Sequence, residues 1–143
     1  MRAAVDTNIF VRFLSGSPEV ATAARAALER AAADAALSVS PAVYAELVAG
    51  GRSPEAVDGF LSGKDIEVDW EIRPEVWRTA GSRYGSYAHD RRRQAGDSGP
   101  RRILADFLVG AHALHLGGAT LLSTDTRIFP SYFPELRIIA PEE

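Results

Sequence analysis

Five short apolar runs alternate with helical segments along the chain, and this alternation constrains the fold more than any other feature. The runs lie at 1–5, 36–40, 66–69, 119–123 and 136–140. Each has the length and composition of a buried strand. Strands that alternate with helices are typical of α/β domains with a mainly parallel sheet. We therefore expect an α/β fold of that kind.

Helix-start and helix-stop residues punctuate the segments between the runs. Ser40 and Pro41 form an N-cap and first-turn pair, and the helix they begin should end at Gly50 and Gly51. The predicted helices lie at 9–14, 18–35, 41–50, 54–61, 74–90 and 101–118. Two glycines within the fifth of these, Gly81 and Gly85, are expected to interrupt it.

Size and composition predict one domain spanning residues 1–143. With 143 residues, 46% of them apolar, the chain is long enough for one sizeable core and too short for two comfortable ones. It has no cysteine, which excludes disulfides, thiolate nucleophiles and zinc–sulfur sites and suits a reducing compartment. Residues 1–5 lack the apolar core of a signal peptide, and no run approaches 18 apolar residues. We expect a cytoplasmic protein with no membrane partner.

The net charge of −3 gives no general attraction to nucleic acids, but the basic residues are unevenly distributed. Five arginines flank a stretch rich in glycine, serine and proline: Arg91, Arg92, Arg93, Arg101 and Arg102. The composition predicts a polar loop over 91–102. It is either a solvated surface loop or a surface whose guanidinium groups bind phosphates.

Four acidic residues stand in small or apolar surroundings. Asp6 and Asp125 follow apolar strands, and ligands of open α/β sheets bind at the carboxyl ends of strands. Glu46 and Asp106 fall on helices. Their neighbours three and four positions away are mostly small or apolar, so both helix faces are expected to pack inward. A carboxylate on an inward face is costly unless a cation or a hydrogen-bond donor meets it.

Each acid also has an ordinary structural explanation. Asp6 and Asp125 suit an Asx turn or a helix N-cap, and Asp106 suits the positive end of a helix dipole. Glu46 has no lysine or arginine three or four residues away that could pair with it. Taken together, the four carboxylates suggest an all-oxygen site for Mg²⁺ or Mn²⁺. The two histidines on the last predicted helix, His112 and His115, are expected to be packing or surface residues.

Several motifs resemble those of one protein family. They are "DTNIF" at 6–10, "AEL" at 45–47, "ADFLVGAHAL" at 105–114, "LGGATLLSTD" at 116–125 and "FPELRI" at 133–138. Their order and separation closely resemble the PIN domain, especially the VapC-type ribonuclease toxins of bacterial toxin–antitoxin pairs. The resemblance implies a five-stranded parallel sheet with helices on both sides and acidic residues that bind divalent metal to cleave RNA.

Matched position by position, the family's four acids fall on Asp6, Glu46, Asp106 and Asp125. The resemblance implies that the three aspartates are the main metal ligands and that Glu46 holds a second metal or orients the attacking water. Ser123 stands where the family usually has threonine, and it keeps an oxygen donor. Thr7 and Asn8 are expected to hydrogen-bond the Asp6 carboxylate or a metal-bound water.

The expected reaction is hydrolysis of an RNA phosphodiester by water that the metal activates and aligns. Without metal the clustered carboxylates should repel one another, and we therefore expect the pKa of one of them to be raised. An aspartyl phosphatase would need a second carboxylate two residues after Asp6, and position 8 is Asn. The remaining alternative is a PIN-like module that binds nucleic acid or protein without catalysis.

The resemblance also implies partners besides RNA. These are a cognate antitoxin, whose tail covers the acidic cleft with a basic side chain, and a second copy in a homodimer. The apolar stretch 9–14 is the expected wall of the antitoxin groove. For RNA itself, the arginines of 91–102 are the expected binding residues.

Overall fold

The protein has a five-stranded parallel sheet, as seen in a computed structural model that describes residues 1–95 and 103–142. Every neighbouring pair of strands is parallel, and the strand order is β3-β2-β1-β4-β5. The α/β fold with a parallel sheet is therefore confirmed. In chain order the strands are β1 (Arg2–Val5), β2 (Ala36–Val39), β3 (Glu67–Val68), β4 (Thr120–Leu122) and β5 (Arg137–Ile139).

Helices form the crossover connections that parallel strands require. Within the described residues they are α1 (Thr7–Ser15), α2 (Pro18–Asp34), α3 (Pro41–Ala49), α4 (Pro54–Gly63), α5 (Pro74–Ala95), α6 (Leu104–Leu114) and α7 (Ile128–Tyr132). Three of them begin with the same Ser-Pro pair, in which the serine hydroxyl accepts a hydrogen bond from a first-turn N–H. At the end of α3, Gly51 adopts a φ of 101°, as the predicted glycine stop requires.

The two faces of the sheet are covered by different helices. Side chains alternate between the faces along a strand. Ala3 of β1 and residues of α2 line a common cavity on one face, whereas the neighbouring Arg2 is hydrogen-bonded through Asp69 to His112 of α6 on the other. The largest fully buried side chains include Phe10, Phe107, Phe129 and Phe133. This packing holds the central strands in place. The sheet edge at which these strands end is therefore also held in place.

Two sequence-based predictions about the segment before α6 were wrong. Helix α5 runs without interruption through Gly81 and Gly85. Both glycines face open space, while Val76, Ala80 and Tyr87 bury the opposite side of the helix. The burial of that side outweighs a cost of about 1 kcal/mol per glycine.

The second error concerns the predicted arginine loop. Arg91, Arg92 and Arg93 belong to the last turns of α5. Arg101 and Arg102 lie outside the described residues, so the remainder of the predicted loop is not described.

Helix α7 was not predicted. It is a single short helix between β4 and β5, and Pro130 lies within it. Elsewhere the predicted elements are observed, with ends displaced by a few residues. In the described part of the chain, no helix combines the length and the apolar character needed to cross a membrane.

Candidate active site

The carboxyl edge of the sheet brings the first strand and the fourth together. The backbone N–H of Asp6 donates to the carbonyl of Leu122 at 2.9 Å, so the ends of β1 and β4 lie side by side. The chain leaves β1 towards β2 on one side and reaches β4 on the other. This edge is therefore a topological switch point, where ligands of α/β sheets bind.

Asp6 is held by hydrogen bonds on both carboxylate oxygens. Its Oδ1 accepts from the backbone N–H of Thr7 at 2.8 Å, and its Oδ2 accepts from Ser123 Oγ at 2.8 Å and Asn8 Nδ2 at 3.2 Å. Asn8 also contacts Ser123 Oγ at 3.3 Å and accepts from the N–H of Thr124 at 3.1 Å. The expected hydrogen bonds from Thr7 and Asn8 to Asp6 are therefore present, and they fix the orientation of the carboxylate.

The Asp6 carboxyl is difficult to ionise. Burial raises its pKa to about 6, hydrogen bonds from Ser123 and Thr7 oppose that rise, and the charges of Asp106 and Glu46 add to it. The side chain is only 7% exposed. The expectation that one acid has a raised pKa is confirmed for Asp6, although burial contributes more to the rise than repulsion between the acids.

Glu46 reaches the site from α3. Its Oε1 accepts from Thr7 Oγ1 at 2.7 Å, which connects α3 to the start of α1. The prediction that this face of the helix packs inward was only partly right. Val43 is buried, but Glu46 is half-buried and Ala49 is exposed. Glu46 therefore lies at the rim of the core, where water and a polyanion can reach it.

Asp106 reaches the site from the first turn of α6. Its side chain is half-buried, and the residues on the same helix face, Val109, Gly110 and Ala113, are buried as predicted. The charge of Asp106 acts on Asp6 across the gap between α6 and β1. Three carboxylates from β1, α3 and α6 therefore influence one another at this edge.

Asp125 is oriented differently. Its Oδ1 accepts from the N–H groups of Arg127 and Ile128, both at 3.0 Å, so its side chain supports the turn into α7. Its own N–H donates to Ser123 Oγ at 3.0 Å, and that hydroxyl donates to Asp6. Asp125 is thus connected to Asp6 through Ser123. The turn that sequence reasoning offered as its ordinary explanation is present.

The donor set at this edge fits a hard, hydrated divalent cation. Asp6, Glu46 and Asp106 offer carboxylate oxygens, and a cation would relieve the charge that raises the pKa of Asp6. In residues 1–95 and 103–142, no three His, Asp or Glu side chains are arranged to hold a metal directly. Mg²⁺ usually keeps several water ligands and takes only one or two carboxylates. The arrangement therefore suits an ion that retains water.

The described arginines of α5 lie near the turn that carries Asp106. The ring of Tyr87, one turn before Arg91, lies 5.4 Å from the ring of Phe107, which follows Asp106. Arg92 and Arg93 are exposed, and Arg91 is half-buried. Positive charge is therefore available on the last turns of α5, a helix that packs against the one carrying Asp106, and not on a loop.

A half-buried carboxylate that sequence reasoning did not single out, Asp69, is hydrogen-bonded to α6. Asp69 accepts a hydrogen bond from His112 Nε2 at 2.7 Å and another from Arg2 Nη2 at 2.7 Å. Its signal was in the sequence, since Asp69 follows an apolar strand as Asp6 does. His115, in contrast, is exposed and contacts Thr79 Oγ1 at 3.0 Å.

The family is established by a match that spans most of the chain. A PIN domain model matches residues 3–132, which include the strand ends and helices that carry the four acids. The chain therefore belongs to the PIN domain family. No curated protein sequence is significantly similar to it.

Solved structures with the same fold include three from toxin–antitoxin systems. The chain is similar to VapBC2 from Rickettsia felis bound to a promoter DNA fragment (TM-score 0.60, 23% identity, covering 99% of this chain and 100% of that one). It is similar to a toxin–antitoxin complex from Klebsiella pneumoniae (TM-score 0.67, 22% identity, covering 99% of this chain and 98% of that one). It is also similar to VapBC-1 from nontypeable Haemophilus influenzae (TM-score 0.64, 18% identity, covering 98% of each chain). At these identities the likeness shows a shared fold along the whole chain.

Proposed function

We propose that the chain is a divalent-metal-dependent endoribonuclease. One observation carries the proposal: a buried carboxylate, Asp6, whose pKa is raised to about 6, faces the charges of Asp106 and Glu46 at the sheet's carboxyl edge. Acids whose ionisation is opposed by burial and by one another's charge are typical of sites that a cation completes. Membership of the PIN family and the similarity to toxin–antitoxin structures support the same conclusion.

In this proposal Asp6, Asp106 and Asp125 would be the main ligands of Mg²⁺ or Mn²⁺. They would hold the ion partly through its own water ligands, because no three of the described side chains are arranged to hold it directly. A bound ion supplies positive charge for the phosphate oxygens and activates water. Glu46 orients the attacking water or holds a second ion. Thr7, Asn8 and Ser123 keep the acids in place through the hydrogen bonds described above. Arg91, Arg92 and Arg93 hold the RNA backbone, together with Arg101 and Arg102.

The test is metal-dependent cleavage of RNA by the purified protein. We expect cleavage in Mg²⁺ or Mn²⁺, its loss in EDTA, and its loss in Asp6→Asn, which keeps the shape of the side chain and removes its charge. Asp34→Asn is the matched control, because Asp34 is an exposed acid at the far end of α2. If folded wild-type protein binds RNA without cutting it, the chain is a non-catalytic PIN module instead.

We further propose that the chain is the toxin of a toxin–antitoxin pair and forms a homodimer. The similar structures from Rickettsia felis, Klebsiella pneumoniae and Haemophilus influenzae are all of such systems. Val11 and Leu14 of α1 are 43% and 40% exposed, and both follow the Asp6 turn closely. They offer an apolar surface to an antitoxin that also covers the acids with a basic side chain.

A further inference from the structure

A polar cluster formed by Arg2, Ser38, Asp69 and His112 connects the sheet to α6; Ser38 and His112 are buried, whereas Arg2 and Asp69 are half-buried. Arg2 Nη2 donates to Ser38 Oγ and to Asp69 Oδ1, both at 2.7 Å. Asp69 Oδ2 accepts from His112 Nε2, also at 2.7 Å. The cluster therefore connects β1, β2, the residue after β3, and α6.

Within the cluster, Asp69 is ionised and His112 is neutral at pH 7. Burial opposes ionisation of Asp69, but hydrogen bonds from His112 and Arg2 outweigh it and lower its pKa. Burial lowers the pKa of His112, and the hydrogen bond to Asp69 does not fully offset that effect. An ionised carboxylate can only accept, so His112 carries its proton on Nε2. Among the described residues, its buried Nδ1 has no hydrogen-bond partner.

The side chain of His112 is therefore oriented by one directional hydrogen bond. It is 4% exposed, and leaving Nδ1 unpaired in the interior costs stability. An apolar side chain of similar size would fill the same space without that cost. Apolar contacts are less directional than a hydrogen bond, and the 2.7 Å bond from His112 to Asp69 adds a specific position for α6 to what packing alone provides. The cluster therefore fixes the position of α6 on the sheet more than it stabilises the fold.

The elements that the cluster connects are the ones that carry the acids. Asp6 lies four residues after Arg2 along β1, about 13 Å in an extended strand. Asp106 lies six residues before His112 along α6, about 9 Å in a helix. A shift of α6 along β1 would therefore change the distance between Asp106 and Asp6 directly.

We propose that Asp69 and His112 are positioning residues: their hydrogen bond fixes α6 along the sheet and so sets the separation of Asp106 from Asp6. This inference rests on the proposed metal-dependent nuclease for its functional consequence. The mechanical part, that the bond determines where Asp106 stands relative to Asp6, can be measured without metal or RNA.

Three variants of the full chain separate positioning from stability. His112→Leu fills the volume without a donor, whereas His112→Gln keeps an N–H that can reach Asp69. Leu28→Ala is the stability control, because Leu28 is buried in α2, which covers the opposite face of the sheet. Leu→Ala in a core costs about 2–5 kcal/mol, so this variant reports what destabilisation alone does.

The measurements are thermal unfolding, Mn²⁺ affinity by calorimetry, kcat and KM for RNA, and metal-free amide shifts of Asp6 and Asp106. For His112→Leu we expect near-normal folding, shifted amide signals, and Mn²⁺ affinity and kcat each lower by about tenfold or more, with KM changed by less than about threefold. For His112→Gln we expect values within about threefold of wild type, since the bond is retained. Leu28→Ala should lower the unfolding temperature and leave the other quantities unchanged.

The two proposals fail in different ways. Unchanged amide signals at Asp6 and Asp106 in His112→Leu would overturn the positioning role, whatever the wild-type protein does to RNA. The positioning role would also be overturned if His112→Gln behaved like His112→Leu. A wild-type protein that neither binds Mn²⁺ nor cuts RNA would instead contradict the proposed function, and the amide signals would still decide whether the bond positions α6.

Discussion

Asp6 illustrates, at the scale of one residue, how a site is kept at the expense of stability. Its carboxyl is buried, and its pKa is raised from 3.8 to about 6. Protons therefore bind more tightly to the folded state than to the unfolded state. Below pH 3.8 this tighter binding makes its full contribution to the free energy of unfolding. The contribution is lost as the pH rises through about 6. The difference in pKa of about two corresponds to about 3 kcal/mol.

This predicts how Asp6→Asn changes the free energy of unfolding. Asn cannot ionise, so the contribution of Asp6 to the decline in stability between about pH 4 and pH 7 should disappear. In metal-free buffer we expect the wild type to lose up to about 3 kcal/mol more than the variant over that range. Urea unfolding of both proteins at the two pH values measures the effect. An equal decline in both would show that Asp6 ionises freely.

At the scale of the element, α6 is packed too tightly to move without consequence. A Cβ built on Gly110 would lie 2.6 Å from the Phe133 ring, and Phe133 is 1% exposed. The glycine lies one turn after Asp106, so the close approach of Phe133 and the hydrogen bond of His112 act on the same helix. Both restrict where the Asp106 carboxylate stands.

Gly110→Ala and Gly81→Ala should therefore have opposite effects on stability. Alanine favours a helix over glycine by about 1 kcal/mol in each case. At Gly110 the clash with Phe133 costs about 1–3 kcal/mol, so we expect net destabilisation. At Gly81, where a Cβ meets nothing within 4 Å, the gain should remain. Thermal unfolding of the two variants decides this, and stabilisation by Gly110→Ala would mean that the ring can move aside.

The end of α5 is the second element with a functional prediction. Arg92 and Arg93 are exposed near the Asp106 turn, and RNA needs positive charge beside an acidic site. Replacing both by alanine should weaken RNA binding and reduce the slope of log affinity against log salt by about 1.4, at about 0.7 per lost phosphate contact. Arg78→Ala, an exposed arginine earlier on α5, is the control. Weaker binding with an unchanged slope would assign the two residues a role in folding rather than in phosphate contact.

At the scale of the whole molecule, exposed apolar side chains indicate surfaces that bind other proteins. Val11 and Leu14 lie on α1 beside the acids, and Trp70 and Trp77 are 61% and 52% exposed elsewhere. Exposed apolar groups of this size favour association. The proposed neutralisation by an antitoxin would cover such side chains.

If the chain is such a toxin, its expression alone should arrest cell growth. Asp6→Asn should abolish the arrest, because it removes the charge proposed to hold the metal. Growth curves with equal levels of the two proteins measure this, and RNA from the arrested cells should show a discrete cut. Harmless expression of an active nuclease would exclude the toxin role and leave the nuclease proposal standing.

The sequence by itself determined the order of the elements and the kinds of residue at their ends. Short apolar strands, Ser-Pro helix starts and glycine stops are local signals, and they act through backbone geometry within a few residues. The four acids Asp6, Glu46, Asp106 and Asp125 could be chosen as candidates from their apolar surroundings and from the family resemblance, before their positions in the fold were known. The hydrogen bonds of the acids with Thr7, Asn8 and Ser123 could be predicted in part, because strand ends in parallel sheets meet at one edge.

Only the tertiary structure decided features that depend on distant packing. Helix α5 passes through Gly81 and Gly85 because its other side is buried, and no local propensity reports that burial. The bond between Asp69 and His112 joins residues 43 apart in the chain. Such contacts arise only when the sheet and α6 are assembled, because neither element contains both partners.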